Sequence, residues 1–104
     1  MGFDINTVAK DMLSAAEGVF RDEWPKVKEV MEQVLADEQA ALEKIAQAYI
    51  SGAINEEEFR DQLESERDAF AAGGAMVRVC SKVTIQKAVK AAMKALEQAA
   101  KAAL

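Results

Sequence analysis

Histidine is absent from this sequence, cysteine, proline, tryptophan and tyrosine occur once each, and aromatic residues make up only 6% of the chain. Each shortage excludes something. Without imidazole, the commonest general base and metal ligand is missing, so His-based triads, most metallohydrolase sites and typical di-iron bundles fall away. Ser14, Ser51, Ser65 and Ser81 therefore have no imidazole partner, and no catalytic residues are assigned. The lone Cys80 cannot close an intramolecular disulfide, and Met1-Gly2-Phe3-Asp4 lacks a basic region followed by an apolar core. A cytoplasmic location is expected on those grounds. Gly2 invites a check for myristoylation, but Asn6 stands where that pattern needs Ser or Thr. No apolar run reaches the roughly 18 to 20 residues that span a bilayer. Few aromatics also mean little buried area per residue, so helix contacts must be made largely through alanine at close backbone approach. An isolated monomer built this way is only modestly stable, which favours self-association.

What is present points to helix. The chain has 104 residues, 51% hydrophobic and 30% charged, with only five Gly and one Pro to interrupt it. This composition belongs to a folded, helix-rich protein, and the length to a single domain, 1–104. The net charge of -5 hides an asymmetry: residues 1–75 hold 17 acids against 7 bases, whereas residues 76–104 hold 6 bases against Glu97 alone. Complementarity within the fold or between subunits is the simplest consequence. The basic tail would suit an anionic membrane or nucleic acid, but the acidic body repels both, so neither is the favoured partner.

The clearest boundary in the chain is Tyr49 to Phe59. Gly52 can adopt the left-handed conformation that ends a helix, and Asn55 can cap the next one while Glu58 reaches back to it. Ile54 and Phe59 would staple that entry, and three glutamates suit the positive end of the helix dipole. Before this turn, Asp4 caps a helix over about 4–20 whose apolar residues Ile5, Val8, Ala9, Met12, Leu13, Ala16, Val19 and Phe20 recur with helical period. Pro25 is tolerated in a first helical turn, so a second, long helix is expected over about 23–50, in preference to one helix kinked at Pro25. A third, very acidic helix covers about 56–71. Gly73-Gly74 is the next breaker, better read as a structural hinge than as a phosphate loop. Val77, Val79, Val83 and Ile85 alternate with polar residues, but a lone strand would have no partner, so helix is preferred over about 76–104. The fold expected is all-α: four helices, antiparallel and bundle-like, with a long second helix and a basic Ala/Lys-rich C-terminal one.

A hairpin turning at Gly52 places Glu38 level with Glu66, each central in its helix's apolar stripe. If the next hairpin turns at Gly73-Gly74, Glu66 also lies level with Lys82, with Arg78 one turn away. Two facing carboxylates in a core need a counter-charge, a metal or a shared proton. The plainer expectation is a polar core layer of Glu38, Glu66, Arg78 and Lys82 that specifies helix register or subunit pairing. The functional alternative is a small-ligand or cation site, although hard cations usually take more oxygens than two carboxylates supply. No metal site or cofactor is assigned. Cys80 has only Lys82 nearby to activate it and is expected to be a small buried residue. Lys87, Lys90, Lys94 and Lys101 form a basic stripe on the last helix. Solvation, or docking on the acidic third helix, is preferred over a membrane surface because the face lacks bulky apolar side chains. The leading expectation is therefore a non-enzymatic interaction or assembly module whose partner is a second copy or another helical protein.

Overall fold

The computed structural model describes residues 3–71 and 81–104, with the side chains of 69–71 outside that description. The described residues are helical, without strand. Helix α1 covers Ile5–Phe20, a single 3-10 turn covers Arg21–Glu23, α2 covers Trp24–Ile50, α3 covers Glu56–Ala71 and α4 covers Lys82–Ala102. Helical backbone runs without a gap from Ile5 to Ile50, so by continuous runs there are three helices, a long first one and two more, not the four separate helices expected. Only by dividing the first run at its 3-10 turn are four segments recovered.

The turn at Arg21 reverses the chain. Arg21 has φ 53° and ψ -115°, and it is the only non-glycine with positive φ among the described residues. A Cβ is crowded in that conformation, at a cost of about 1–3 kcal/mol. Its N–H still donates to the Glu17 carbonyl, closing α1, and Pro25 then sits in the first turn of α2, where no donor is needed. Phe20 and Trp24 stack across the corner with ring centroids 6.1 Å apart. Gln39 Nε2 donates to Asn6 Oδ1 at 3.0 Å, which fixes α1 and α2 as antiparallel. The 27 residues of α2 span about 40 Å at 1.5 Å per residue, the 39 Å long axis of the molecule.

The second turn is built by two reciprocal devices. Gly52 has φ 85°. Its N–H donates to the Tyr49 carbonyl at 3.1 Å, and Ala53 N–H donates to the Ala48 carbonyl at 2.8 Å, the pair of bonds that closes a helix on a left-handed glycine. Two residues later the Glu58 N–H donates to Asn55 Oδ1 at 2.8 Å, and the Asn55 N–H donates to Glu58 Oε1 at 3.1 Å. This is a complete capping box with Asn in the cap position. Across the turn, Tyr49 and Phe59 stack at 4.2 Å with their planes 3° apart.

The most extensive packing lies between α1 and α4. Ile5, Val8, Met12, Ala16 and Phe20 on α1 and Ile85, Ala88, Val89, Ala92, Met93, Leu96 and Ala100 on α4 are buried. Small residues let two helix backbones approach closely, and Met12 fills what alanine leaves open. Val27, Met31, Leu35, Leu42 and Ala46 of α2 join Phe59 and Leu63 of α3 in the same core. The alanine face of α4 is thus turned into the chain's own core.

The expected helix over 76–104 is corrected. Ser81 is an extended N-cap, φ -66° and ψ 151°, whose Oγ accepts from the Thr84 N–H at 3.2 Å, so α4 begins at Lys82. A capped, extended residue cannot lie inside a helix. Gly73-Gly74 and residues 76–80 lie outside the described residues.

Arg21→Gly should raise the unfolding free energy by about 1 kcal/mol, because glycine tolerates this backbone without a Cβ penalty. Gly52→Ala should lower it by about 1 kcal/mol at positive φ. Urea unfolding of both variants checks the pair of signs.

Candidate functional site

The carboxylates that the hairpin register brings to one level do meet. Glu38 on α2 and Glu66 on α3 are half-buried. A hydrogen bond with Glu66 raises the Glu38 pKa, with smaller contributions from partial desolvation and from the negative charges of Glu66 and Asp37. A neighbouring carboxylate and partial desolvation both disfavour the charged form, which is why Glu38 holds its proton more readily than a free carboxyl. Its position follows from the turn: with Tyr49 stacked on Phe59, α3 runs back along α2 and Glu66 arrives opposite Glu38.

Among the described residues, Lys82 does not join a buried polar layer with the pair. No polar or charged side chain among the described residues is buried. Lys82 is exposed in the first turn of α4 and makes no salt bridge among the described residues. Arg78 lies outside them. The physical reason is register. Arg60 on α3 reaches Glu97 on α4 at 3.5 Å, and Lys101 on α4 reaches Glu56 on α3 at 2.8 Å. These pairs run α3 and α4 antiparallel with α4 displaced along its axis, so Glu66 lies level with residue 91 rather than with Lys82. The displacement goes with α4 beginning at Lys82, after its Ser81 cap.

Those contacts build a polar network that sequence reasoning missed. Glu97 accepts from both Arg60 and Lys101, at 3.5 and 3.1 Å, and Glu56 accepts from Arg60 and Lys101, at 3.2 and 2.8 Å. The Glu56 pKa is lowered chiefly by its hydrogen bond to Lys101, then by the charges of Lys101 and Arg60. The Lys101 pKa is raised by its hydrogen bonds to Glu56 and then Glu97. The network lies at the surface, where individual pairs contribute little, yet it orients α3 on α4. A signal for it existed in the charge balance, since 56–68 holds seven acids and two bases against the basic tail. Without the length of the intervening connection, the individual partners could not be named.

Of the four lysines in the basic stripe, Lys101 is held in this network, Lys87 is exposed, and Lys90 and Lys94 border a groove between α3 and α4. The groove measures about 430 Å³ and is lined by Arg60, Leu63, Glu64, Arg67, Lys90, Met93, Lys94 and Glu97. The register set by Arg60 and Glu97 explains the lining: one turn on, Leu63 stands level with Lys94, and another turn brings Arg67 level with Lys90. Leu63 and Met93, each 5% exposed, form an apolar floor. Arg67 pairs with Glu64 at the long distance of 3.5 Å.

This geometry defines a small all-α protein with a surface carboxyl pair and a polar α3–α4 seam. Comparison with protein families, with curated proteins and with solved structures finds no match. No helix of the described residues is long and apolar enough to cross a membrane.

The two titrating features have opposite signs. A carboxyl whose folded pKa is raised, as at Glu38, destabilises the fold near neutral pH, and that effect fades as pH falls from the raised value to the ordinary one. One whose folded pKa is lowered, as at Glu56, stabilises near neutral pH, and that contribution is lost as pH falls through the lowered value. Glu38→Gln should therefore stabilise the protein near neutral pH by on the order of 0.5 kcal/mol. The advantage should vanish once pH falls below the ordinary carboxylate value, as measured by denaturant unfolding across pH.

Proposed function

We propose that this chain is a non-enzymatic helical interaction module, an antiparallel four-helix, bundle-like domain that works in the cytoplasm and associates with a second copy of itself through charged surfaces. The observation that carries the reading is the segregation of exposed charge on neighbouring helices. Glu57, Asp61, Glu64 and Asp68 recur on α3 at spacings of four and three, and Lys87, Lys90 and Lys94 recur on α4 at spacings of three and four; all seven are exposed. A two-fold axis parallel to the seam would lay the acidic line of each copy on the basic line of the other, since a two-fold interface pairs each patch reciprocally.

Association through alanine faces, expected from composition, has less support. Ala88, Ala92 and Ala100 are buried within the chain, and among the described residues the large apolar side chains that stand exposed are Val83 at 60% and Leu104 at 68%. Lys101, engaged with Glu56 and Glu97, leaves a shorter basic stripe for an anionic membrane, and Val83, one turn before Lys87, is the single large apolar side chain exposed beside it among the described residues, where insertion calls for bulkier Trp, Phe or Leu.

A second reading, favoured by the closeness of Glu66 that raises the Glu38 pKa, makes that pair a proton or cation site. Two carboxylates provide too few oxygens for a tight hard-cation cage, so proton sharing is the stronger chemistry. A panel of divalent cations should leave the melting temperature unchanged within error in both the parent and Glu66→Gln.

Exposed ion pairs contribute about 0.2–1 kcal/mol each, so self-association should be weak and salt-sensitive. Sedimentation velocity should show a concentration-dependent shift toward dimer at low salt, reversed at high salt and reduced by Lys87→Glu. A monomer at every protein concentration in low salt would sink the reading.

A further inference from the structure

The groove between α3 and α4 has a use that does not depend on self-association. Its lining carries four cationic side chains, Arg60, Arg67, Lys90 and Lys94, against the two carboxylates Glu64 and Glu97. The charges are unevenly satisfied along its length. At one end Arg60 is held by Glu56 and Glu97. At the other, Lys90 and Lys94 make no salt bridge among the described residues, and Arg67 has only Glu64 at 3.5 Å. Lys90 and Lys94 lie one helical turn apart, where like charges repel, and Arg67 faces them across the groove. Between the walls, the floor of Leu63 and Met93 is apolar, and methionine adapts its shape to what lies on it.

We propose that this groove binds a small amphipathic organic anion, a carboxylate or phosphate monoester on a short apolar stem. The head group sits among Arg67, Lys90 and Lys94, where it relieves the repulsion between the lysines and can take the two-pronged hydrogen bonds that a guanidinium offers to such oxyanions. The stem lies over Leu63 and Met93 toward the Arg60–Glu97 end, which closes the groove. Dimensions agree: the seven steps from Arg60 to Arg67 rise about 10 Å, and about 430 Å³ lies within the 300–1,000 Å³ of ordinary small-ligand clefts. The chain's net charge of -5 does not oppose this at short range, because charges are screened beyond about 8 Å at physiological ionic strength.

The test uses the full chain with side-chain methyls observed by NMR, titrated separately with octanoate, octyl phosphate, acetate, inorganic phosphate and octylamine. Octanoate or octyl phosphate should shift the Leu63 and Met93 methyl signals saturably, and the tighter of the two identifies the head group. Acetate and inorganic phosphate, which lack the stem, should bind at least tenfold more weakly, and octylamine should not compete. Lys90→Gln combined with Lys94→Gln should weaken octanoate binding at least tenfold while the far-ultraviolet circular dichroism and melting stay those of the parent, since both side chains are exposed. The proposal is overturned if the floor methyls do not respond to either amphiphile, if octylamine binds as well as octanoate, or if the double variant binds octanoate unchanged.

Discussion

The constraint on which the α3 side of the molecule depends is the junction between α2 and α3, where a left-handed glycine closes one helix and a reciprocal Asn55–Glu58 cap opens the next. Both devices satisfy backbone groups that a helix end leaves unpaired. They leave no freedom in where α3 starts. Once its first turn is placed, the Tyr49–Phe59 stack sets the rotation of α3, and the positions of Leu63, Glu66 and Arg67 follow along its length. The carboxyl pair and the groove wall are both consequences of that turn.

A second constraint is the poverty of large apolar residues. With few aromatics, the core is assembled from alanine and methionine, and the pairing of α1 with α4 supplies its most extensive contact. Because α4 uses its alanine face for this purpose, its lysines are presented on the opposite side, toward α3 and solvent. The same packing that makes the core thin makes the outside of α4 strongly charged. Arg21 belongs to this economy as well: a sharp reversal after Phe20 keeps α1 and α2 antiparallel, at the expense of a strained backbone.

Helix identity was legible almost to the residue wherever a capping signal lay within a few positions of the boundary it controls. Asp4 accepts from the Asn6 N–H at 3.0 Å, and Gly52, Asn55 and Glu58 act as their types and spacings indicate. The meeting of Glu38 with Glu66 was legible too, because the short turn between their helices fixes the register by counting. The strained reversal at Arg21 was not, since arginine carries no preference for positive φ. Nor was the number of continuous helical runs, because a 3-10 turn bridges a corner that Pro25 alone marked only as the start of a new helix.

The sequence by itself determined the helical class, the ends of α1 and α2, the start of α3, the turn that carries Gly52 and Asn55, and the segregation of acid from base. Each of these rests on interactions between residues close in the chain. Only the tertiary structure decided how far α4 slides along α3, and therefore that Lys101 meets Glu56, that Arg60 meets Glu97, and that Lys82 stays in solvent instead of joining Glu66. The register of α4 on α3 rests on contacts between residues far apart in the chain. It is set where the alanine face of α4 fits α1 and the charges along the seam find their opposites at once.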